Sequence, residues 1–414
     1  MKLGTFLKTF SVMRWGHRFK DRKALERYQI KALAIYREFL QQESPYFKSG
    51  IPADFKMNKA FMMEHFNELN TQGLDRDELL ALALESERTR DFSPMIGEIA
   101  VGLSSGTSGH RGLFVTTEKE RSMWAAAILA KMLPKDKLFG HKIAFFLRAD
   151  NQLYQTVNSG LISLEYFDTF QGAEEHVERL NAYQPTILVA PASMLLELAK
   201  QVKAGNLKIA PSKVVSVAEI LEEPDRQRIQ AGFGLKNQAT EGFLACSCSY
   251  GNLHLNEDIV HVDKHYLDDR RFYPIITDFK RTSQPIFQYE LNDILVENPE
   301  PCPCGSVSTR IDRIEGRSDD IFIFENAAGQ SVEVFPDFIR RCLLLVDGIG
   351  EYQVAQKQDH SLTIAIEHRS QQREYELVQQ FQNLATDKDF LIPAISFEDY
   401  QRDRSRKLKR IYRA

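Results

Sequence analysis

Apolar side chains near the start of the chain recur at helical spacing. Between residues 21 and 42 the steps are mostly three and four, through Leu25, Tyr28, Ala32, Ile35, Tyr36, Phe39 and Leu40. This period predicts an amphipathic helix. Shorter helices are expected to follow up to about residue 87, so residues 1–95 should form a helical N-terminal region.

After Pro94 the pattern changes to short apolar runs that alternate with helical stretches. The runs are IGEIAVGL, HKIAFFLRA, PTILVAPA and SKVVSVAEIL, and helices are expected near residues 118–133, 172–182 and 193–204. Such runs, alternating with helices, are typical of buried parallel strands in an α/β sheet. Residues 253–295 then favour strands joined by turns.

A third pattern begins after Gly316. Two strands, a helix near residues 336–345, a strand near 361–367 and a helix near 372–385 favour a short α+β domain. We therefore expect an α/β fold in two parts. Residues 1–316 would form a large domain with mixed and parallel sheets and helices, and residues 317–414 a small C-terminal α+β lid.

Composition narrows the class of protein. The chain has 414 residues, 43% hydrophobic and 27% charged, with a formal net charge of −4, which argues against a disordered chain. A pI of about 6.2 argues against a surface built to hold nucleic acid. No run approaches the roughly 18–20 apolar residues of a membrane helix. Lys8 and Arg14 interrupt the N-terminal apolar stretch, so we expect no secretory signal and a cytoplasmic, reducing location.

Both ends of the chain are locally cationic. Residues 1–31 contain nine lysines and arginines against Asp21 and Glu26, and the chain ends in QRDRSRKLKRIYRA. The N-terminal segment could contact an anionic membrane surface or an acidic partner. The favoured interpretation is a first helix whose charged face is solvated.

The segment SSGTSGHRG, residues 104–112, is rich in glycine and hydroxyl residues and follows a predicted strand. Such a loop lets backbone N–H groups turn towards phosphate oxygens. It lacks the Gly-Lys-Ser/Thr of a Walker loop, and its glycine spacing does not fit a dinucleotide fingerprint. The alternative is an ordinary surface loop.

This loop resembles the phosphate loop of the adenylate-forming enzymes, in particular the phenylacetate–CoA ligase-like branch and its coenzyme F390 synthetase-related members. Further segments match that family in the same order: SVAEIL at 216–221, QATEG at 238–242, YELND at 289–293, RIEGRSDDIFI at 313–323 and RKLKRI at 406–411. The resemblance covers residues 98–345 and the extreme C-terminus, and it is weak over the first 95 residues.

The resemblance implies that ATP and Mg²⁺ activate a carboxylic acid as an acyl-adenylate, with release of pyrophosphate. Transfer to a thiol of CoA or of a carrier protein would follow, and an amine acceptor stays open. The phosphates would be held by Ser105, Gly106, Thr107, Ser108 and Gly109. Glu241 would ligate Mg²⁺, and Thr240 would donate to a phosphate oxygen.

The resemblance assigns the remaining roles around the nucleotide. Ala218 and Glu219 would border the adenine, Asp293 would accept hydrogen bonds from the ribose, and Arg317 would contact ribose or phosphates at the hinge. Asp319 or Asp320 would be the pivot between the domains. Lys407 would be the catalytic cation, with Lys409 as its rival.

Several positions depart from the family pattern. They are His110 and Arg111 in the phosphate loop, Val217 before Ala218, Asn237 and Gln238 before the Thr-Glu pair, and Asn292 before Asp293. They indicate a divergent branch. The alternative function is a catalytically reduced nucleotide-binding or scaffold protein of the same fold, which acts through a partner or a membrane surface.

Four of the five cysteines lie in two close pairs, Cys246 with Cys248 and Cys302 with Cys304, and His254 lies between the pairs. A Cys₃His set is a common structural zinc site, and the PCPCG turn can present two thiolates together. Phenylacetate–CoA ligase-like proteins carry a similar Cys-x-Cys-Gly before the hinge. We expect Cys248, His254, Cys302 and Cys304 as zinc ligands, with Cys246 as the spare. The alternative is a set of buried thiols.

The acid itself is weakly specified. Residues 145–170 and the loop at 190–193 are expected to line its pocket. An aromatic wall for a flat acid could come from Tyr154, Tyr166, Phe167 and Phe243, which would serve equally well as core residues.

Overall fold

The computed structural model describes residues 2–16, 19–103, 112–134, 137–147, 162–234, 239–240 (backbone only), 244–403 and 408–414. The chain forms two compact units. The first contains Met1–His265, Ile275–Leu291 and Glu297–Asp312, and the second contains Tyr266–Pro274, Asn292–Val296 and Arg313–Ala414. The second unit thus takes two segments from before residue 313.

The first unit begins with helices, as the spacing of apolar residues predicts. They are α1 (Leu3–Ser11), α2 (Arg22–Glu43), α3 (Lys59–Glu64), α4 (Phe66–Leu69) and α5 (Arg76–Thr89). The Asp21 carboxylate caps α2 by accepting the N–H of Ala24 at 2.8 Å. Leu25, Tyr36 and Leu40 of α2 are buried. Among the described residues, no helix is both long and apolar enough to cross a membrane.

A five-stranded parallel sheet forms the centre of the first unit, in the order β5-β4-β6-β7-β8. Its strands are β4 (His141–Leu147), β5 (Ile162–Asp168), β6 (Ile187–Ala190), β7 (Lys213–Ser216) and β8 (Ala239–Thr240). Its helices are α6 (Glu118–Met132), α7 (Val177–Tyr183), α8 (Ala192–Lys203) and α9 (Glu223–Phe233). Because every pairing is parallel, the carboxyl ends of these strands meet at one edge.

The two faces of this sheet carry separate apolar clusters. Ala144 and Phe146 belong to one cluster, whereas Ile143 and Phe145 belong to the other. Alternate residues of a strand point to opposite faces, so an apolar run without interruption indicates a strand covered on both sides. Three of the four predicted runs, which correspond to β4, β6 and β7, are such strands.

The remaining run, IGEIAVGL at residues 96–103, was also expected to be a buried parallel strand, and this expectation was wrong. It forms β1 (Met95–Ile96) and β2 (Ile99–Leu103), which pair antiparallel with each other. Strand β3 (Leu113–Thr116) completes a three-stranded antiparallel sheet. Gly97 has φ +57°, which permits the tight turn between β1 and β2.

Antiparallel strands follow in both units. They are β9 (Ala245–Ser247), β10 (Leu253–Leu255), β11 (His261–Tyr266), β12 (Arg271–Thr277), β13 (Tyr289–Glu290), β14 (Asp293–Asn298) and β15 (Arg310–Arg317). In the first unit β10 pairs with β9 and with Arg310 and Ile311 of β15. In the second unit Arg271 and Phe272 of β12 pair with Val296 and Leu295 of β14.

The rest of the second unit contains a hairpin, two helices and a four-stranded sheet of order β20-β19-β18-β21. The elements are β16 (Phe322–Glu325), β17 (Ser331–Val334), α10 (Pro336–Leu344), β18 (Tyr352–Gln356), β19 (Leu362–Ile366), α11 (Gln371–Lys388), β20 (Ile395–Asp399) and β21 (Ile411–Arg413). The sequence predicted both helices and β19, but not β18, β20 or β21. Phe322, Phe324 and Phe381 lie in its apolar core.

Candidate functional site

The carboxyl edge of the parallel sheet brings together several residues that the sequence singled out. Ser216 and Thr240 are in register at the ends of β7 and β8. The chain leaves β7 through Ala218, whose φ of +65° is unusual for a residue with a Cβ. The carboxylate of Glu219 accepts the backbone N–H of Ser193 at 2.9 Å, near the start of α8. Glu219 therefore links the segment after β7 to the segment after β6.

A cavity of about 480 Å³ lies at this edge, on the face that carries Phe145. Its walls are mostly apolar and come largely from strands and α6, including Trp124, Ile128, Phe145, Leu147, Val189, Val215, Val217 and Ile276. Its polar and ionisable lining residues are Lys131, Cys246, Asn256, Asp278, Arg281 and Tyr289. An apolar cleft with a few polar groups is typical of a small-molecule site.

The expected aromatic wall is only partly described. Phe167 is fully buried and stacks on Phe146 with ring centroids 4.9 Å apart, in the cluster on the other face of the sheet. It is therefore a core residue. Tyr166 donates its hydroxyl to the carbonyl of Leu147 at 3.2 Å. Tyr154 and Phe243 lie outside the described residues.

The second candidate site of the first unit is a cluster of Cys248, His254, Cys302 and Cys304. Their ligand atoms all lie within 4.8 Å of one another. The sulfurs of Cys248 and Cys302 are 3.8 Å apart, and the sulfur of Cys304 lies 3.5 Å from His254 Nε2. A zinc tetrahedron with bonds of about 2.3 Å to sulfur and 2.0–2.1 Å to nitrogen has edges of about 3.8 and 3.5 Å. The residues therefore fit zinc in both donor type and spacing.

The surrounding chain orients this cluster. His254 Nδ1 lies 3.2 Å from the carbonyl oxygen of Ser308, a contact that directs Nε2 towards the sulfurs. The amide of Asn252 donates to the sulfur of Cys302 at 3.2 Å. Burial raises the pKa of the Cys302 thiol, but hydrogen bonds, including those from Cys304, His254 and Asn252, outweigh it and lower the pKa to about 6. Burial and the neighbouring Cys302 and Cys248 raise the pKa of Cys304 to about 12, so the surroundings favour a thiolate at Cys302 and a thiol at Cys304.

Cys246 and Cys342 lie elsewhere. The Cys246 thiol donates to the side-chain oxygen of Asn256 at 3.2 Å, and both residues line the cavity. Cys342 is buried in the apolar core of the second unit. Of the two cysteines near the Thr-Glu segment, Cys248 is therefore the one in the Cys–His cluster.

In the second unit, Asp293 and Arg317 lie close together at the ends of their strands. Arg317 Nε is 3.8 Å from Asp293 Oδ1. Next to them the amide of Asn292 donates to the Asp319 carboxylate at 2.6 Å, and the N–H of Ser318 donates to the Asn292 carbonyl at 2.7 Å. The predicted ribose-binding and hinge segments thus contact each other directly.

Lys409 is engaged within the second unit. Its ammonium lies 3.1 Å from a carboxylate oxygen of Asp320, which is only 6% exposed. Burial raises the pKa of Asp320, and Lys409 and Arg317 oppose that rise. Lys409 therefore neutralises a buried carboxylate of its own unit.

Seven predicted site residues lie outside the described residues. They are Ser105, Gly106, Thr107, Ser108, Gly109, Glu241 and Lys407. The departures at His110, Arg111, Asn237 and Gln238 also lie there. For Thr240 only the backbone is described.

The cavity also contains residues that the sequence did not single out. Trp124 comes from α6, whereas Asp278 and Arg281 come from the turn after β12. Arg281 Cζ lies 5.1 Å above the ring of Trp124. The only sequence signal was the charged stretch DFKR, which follows an apolar strand.

Comparison with solved structures identifies the fold. A structure of 2-hydroxyisobutyryl-CoA ligase in the postadenylation state, with 2-HIB-AMP, matches at a TM-score of 0.68 and 14% identity, over 94% of this chain and 88% of that one. An open conformation of that ligase, with 2-HIB-AMP and CoA, matches at 0.56 and 15%, over 94% and 90%. A benzoate CoA ligase from Burkholderia xenovorans matches at 0.52 and 15%, over 77% and 69%.

Comparison by sequence finds no match to the chain, either among protein-family models or among curated proteins. The structural likeness extends over nearly the whole chain for the hydroxyisobutyryl-CoA ligase. The parallel sheet, the antiparallel strands and the second unit together therefore give this chain the fold of the adenylate-forming acyl ligases.

Proposed function

We propose that the chain activates a carboxylic acid with ATP and then transfers the acyl group to a thiol. The observation that carries the proposal is the adenylate-forming ligase fold, with a ligand-sized apolar cavity at the carboxyl edge of its parallel sheet. In open α/β sheets, ligands bind at the carboxyl ends of the strands. Ala218, in the predicted adenine segment, lines that cavity.

The reaction has two steps. A carboxylate oxygen attacks the α-phosphorus of ATP, the bond to the bridging oxygen breaks, and pyrophosphate leaves. The thiol then loses its proton to solvent and its sulfur attacks the acyl carbon, the acyl carbon–oxygen bond breaks, and AMP leaves with the electron pair of that bond. Both steps depend chiefly on placement and on stabilisation of developing charge.

The resemblance supplies the contacts that we propose for the nucleotide. Ala218 and the backbone of Glu219 would border the adenine, because the Glu219 carboxylate is engaged with Ser193. Asp293 would accept hydrogen bonds from the ribose hydroxyls, and Arg317 would orient that carboxylate from 3.8 Å. Residues 105–109 would supply N–H and O–H donors to the phosphates, and Thr240 would assist them.

Lys407 would provide the cation that bridges the carboxylate and the α-phosphate. Support for Lys407 over Lys409 comes from the ion pair of Lys409 with Asp320, which already gives Lys409 a structural task. A lysine on a C-terminal segment would couple the chemistry to movement of the second unit. Asp319 and Asp320 remain the two candidates for the pivot.

Two metals belong to the proposal. Mg²⁺ would be held by Glu241, as the resemblance implies, and would neutralise phosphate charge. Zinc would be held by Cys248, His254, Cys302 and Cys304. Such a complete set of four ligands indicates a structural site rather than a catalytic one.

The proposal also names an acceptor and a branch of the family. CoA is the favoured acceptor, because the hydroxyisobutyryl-CoA ligase of the same fold holds CoA and an acyl-adenylate together. A carrier-protein thiol is the second candidate. Assignment to the phenylacetate–CoA ligase-like branch rests on the motifs in the sequence and on the Cys-x-Cys-Gly turn.

The test is carboxylate-dependent exchange of pyrophosphate into ATP, measured over a broad panel of acids. We expect exchange with at least one acid, and we expect Lys407→Ala to reduce it by at least about a hundredfold, as for loss of a charge-stabilising group. ATP affinity should change little. Lys357→Ala, at an exposed turn of the same unit, is the matched control.

Two results would change the proposal. Full exchange in Lys407→Ala, together with loss in Lys409→Ala, would reassign the catalytic cation. Absence of exchange with every acid, despite measurable ATP binding, would favour the catalytically reduced scaffold.

A further inference from the structure

Asp278 is a buried carboxylate in the wall of the 480 Å³ cavity. It directly follows β12, and its backbone N–H donates to the carbonyl of Ile286 at 2.9 Å. The residue is 5% exposed. Within the described parts of the chain, its side chain accepts one hydrogen bond, from the N–H of Lys280 at 3.0 Å, and makes no ion pair.

Glu120 shows what a satisfied carboxylate looks like in the same unit. It is 1% exposed, and its two oxygens accept hydrogen bonds from backbone and hydroxyl groups of Thr117, Thr282 and Ser283 at 2.6–3.1 Å. The fold can therefore surround a buried carboxylate with donors, but the described residues do not do so at Asp278.

The turn does not explain the charge. The bond from Lys280 N–H to the Asp278 side chain could be made equally by the neutral oxygen of asparagine or serine. A buried carboxylate, by contrast, is costly unless it is paired. The second carboxylate oxygen has no hydrogen-bond partner among the described residues, and the Arg281 guanidinium acts on this carboxylate only through space. The second carboxylate oxygen of Asp278 is thus a hydrogen-bond acceptor in the cavity wall that the turn after β12 does not require.

The surroundings limit what could satisfy this acceptor. The cavity walls are mostly apolar, with Trp124, Phe145 and Tyr289 as aromatic residues and Lys131, Cys246, Asn256 and Arg281 as the other polar ones. The two cations are already engaged, because Lys131 is paired with Asp258 and the Arg281 guanidinium donates to Gln284 and to the carbonyl of Val115. Its volume suits a ligand with one ring or a short chain. A ligand that fits would have an apolar body and one group that donates a hydrogen bond.

We infer that Asp278 is a specificity-determining residue, which accepts a hydrogen bond from a hydroxyl or amino group on an otherwise apolar ligand. The inference rests on the proposed function only where it names that ligand as the acid to be activated. The substrate class is then a hydroxy- or amino-substituted carboxylic acid. An unsubstituted acid of the same size would leave Asp278 buried without a partner.

The first test uses probes without a carboxylate, so it does not depend on catalysis. The chain has two tryptophans, so Trp15→Phe leaves Trp124 in the cavity wall as the sole tryptophan. Binding of phenol, toluene and benzylamine is followed by Trp124 fluorescence. Toluene leaves water more readily than phenol, so a wall without an acceptor should favour toluene.

We expect phenol or benzylamine to bind at least tenfold more tightly than toluene. Asp278→Leu should reverse that preference, and Asp278→Asn, which keeps the turn acceptor, distinguishes the two donors. A hydroxyl ligand should lose less than about tenfold in Asp278→Asn, and an ammonium ligand about a hundredfold. Tighter binding of toluene to the parent protein, or an unchanged preference in Asp278→Leu, would overturn the inference.

The second test separates this inference from the proposed function. Pyrophosphate exchange is compared for benzoate and hydroxybenzoate, and for hexanoate and 6-hydroxyhexanoate. If no acid supports exchange but phenol binding depends on Asp278, the proposed function fails and the inference holds. If the unsubstituted acid of each pair is used better, the enzyme function stands and the inference fails.

Discussion

Glu120 and Asp278 are buried carboxylates of the same unit, and the chain treats them in opposite ways. Around Glu120, Thr117, Thr282 and Ser283 supply a full set of donors. Burial alone would raise the pKa of Glu120, but these hydrogen bonds hold it below its ordinary value. Around Asp278 burial dominates and raises the pKa to about 6. One carboxylate therefore supports the fold, and the other is left for a partner.

The same comparison applies to the Cys–His cluster. Its sulfurs receive some hydrogen bonds from the chain, such as that from Asn252 to Cys302. Four ligand atoms within 4.8 Å of one another, however, could also hold a cation, as we propose. A buried polar group whose atoms all have hydrogen-bond partners thus has a structural role. A buried polar group with an atom left without a partner is a candidate for binding a ligand or a metal.

The strongest test of this comparison is Glu120→Ala. The substitution leaves donors of three residues buried without an acceptor, so we expect it to lower the free energy of unfolding by about 5 kcal/mol. Urea unfolding at pH 7 measures the loss. Glu178→Gln, on an exposed face of α7, is the control and should change stability by less than about 0.5 kcal/mol.

The loss at Glu120 should also depend on pH. Its pKa is lower in the folded chain than in the unfolded one, so its contribution is full at neutral pH and decreases as the pH falls through the folded pKa. A loss equal at pH 7 and pH 4 would show that the carboxylate charge does not matter.

Metal removal from the Cys–His cluster should have the next largest effect. If zinc is present at a thousand times its dissociation constant, it stabilises the folded chain by about 4 kcal/mol. Cys302→Ser, or treatment with a chelator, should remove one equivalent of zinc and most of that stability. Metal analysis and thermal unfolding measure the two quantities.

Cys246→Ser is the matched control for the metal test. Its serine hydroxyl can still donate to Asn256, and the residue lies outside the cluster. Loss of zinc in Cys246→Ser, with zinc retained in Cys302→Ser, would contradict the ligand set.

Asp278→Asn should raise the free energy of unfolding, whereas Glu120→Ala should lower it. The folded pKa of about 6 exceeds the unfolded value of about 3.9, so Asp278 favours folding when protonated and loses that contribution as the pH rises through 6. The neutral variant should therefore be more stable by up to roughly 3 kcal/mol at pH 8 and by little near pH 4.

The other charged groups near Asp278 set the size of this effect. Arg281 and Lys280 lower its pKa, Glu120 raises it, and Tyr36 is the neighbouring phenol. Unfolding at pH 4.5, 6 and 8 provides the profile. A gain that does not vary with pH would mean that Asp278 is not the titrating group.

Much of the fold was predictable from the sequence because its signals are local. The period of apolar residues located α2, and apolar runs located β4, β6 and β7. Residues 96–103 were misassigned because Gly97 allows a turn between Ile96 and Ile99, near the start of the apolar run. Periodicity alone does not reveal such a turn.

Of the two candidate sites, one was predictable from local sequence signals and the other was not. The Cys–His cluster was predictable because its four residues are of types that commonly bind a metal. Asp278 was not, because its environment is built by distant parts of the chain. Trp124 and Asp278 line one cavity from α6 and from the end of β12. The Thr-x-x-Glu capping box at residues 117–120 marks Glu120 as an engaged carboxylate, whereas no local pattern in the sequence marks Asp278.

The smallest expected effect comes from Lys409→Met, which tests saturation in the second unit. Asp320 is 6% exposed, and Lys409 is 3.1 Å from it. Removal of the ammonium leaves Arg317 as the remaining cation that lowers the pKa of Asp320, so that pKa should rise further. We expect the second unit to lose about 1–2 kcal/mol at pH 8 and less at pH 5, since protonation then removes the unpaired charge. Hydrogen exchange of β21 measures the loss. Pyrophosphate exchange should persist, because Lys409 neutralises Asp320 and Lys407 is the proposed catalytic cation. A variant as stable as the parent but without exchange would reverse these two roles.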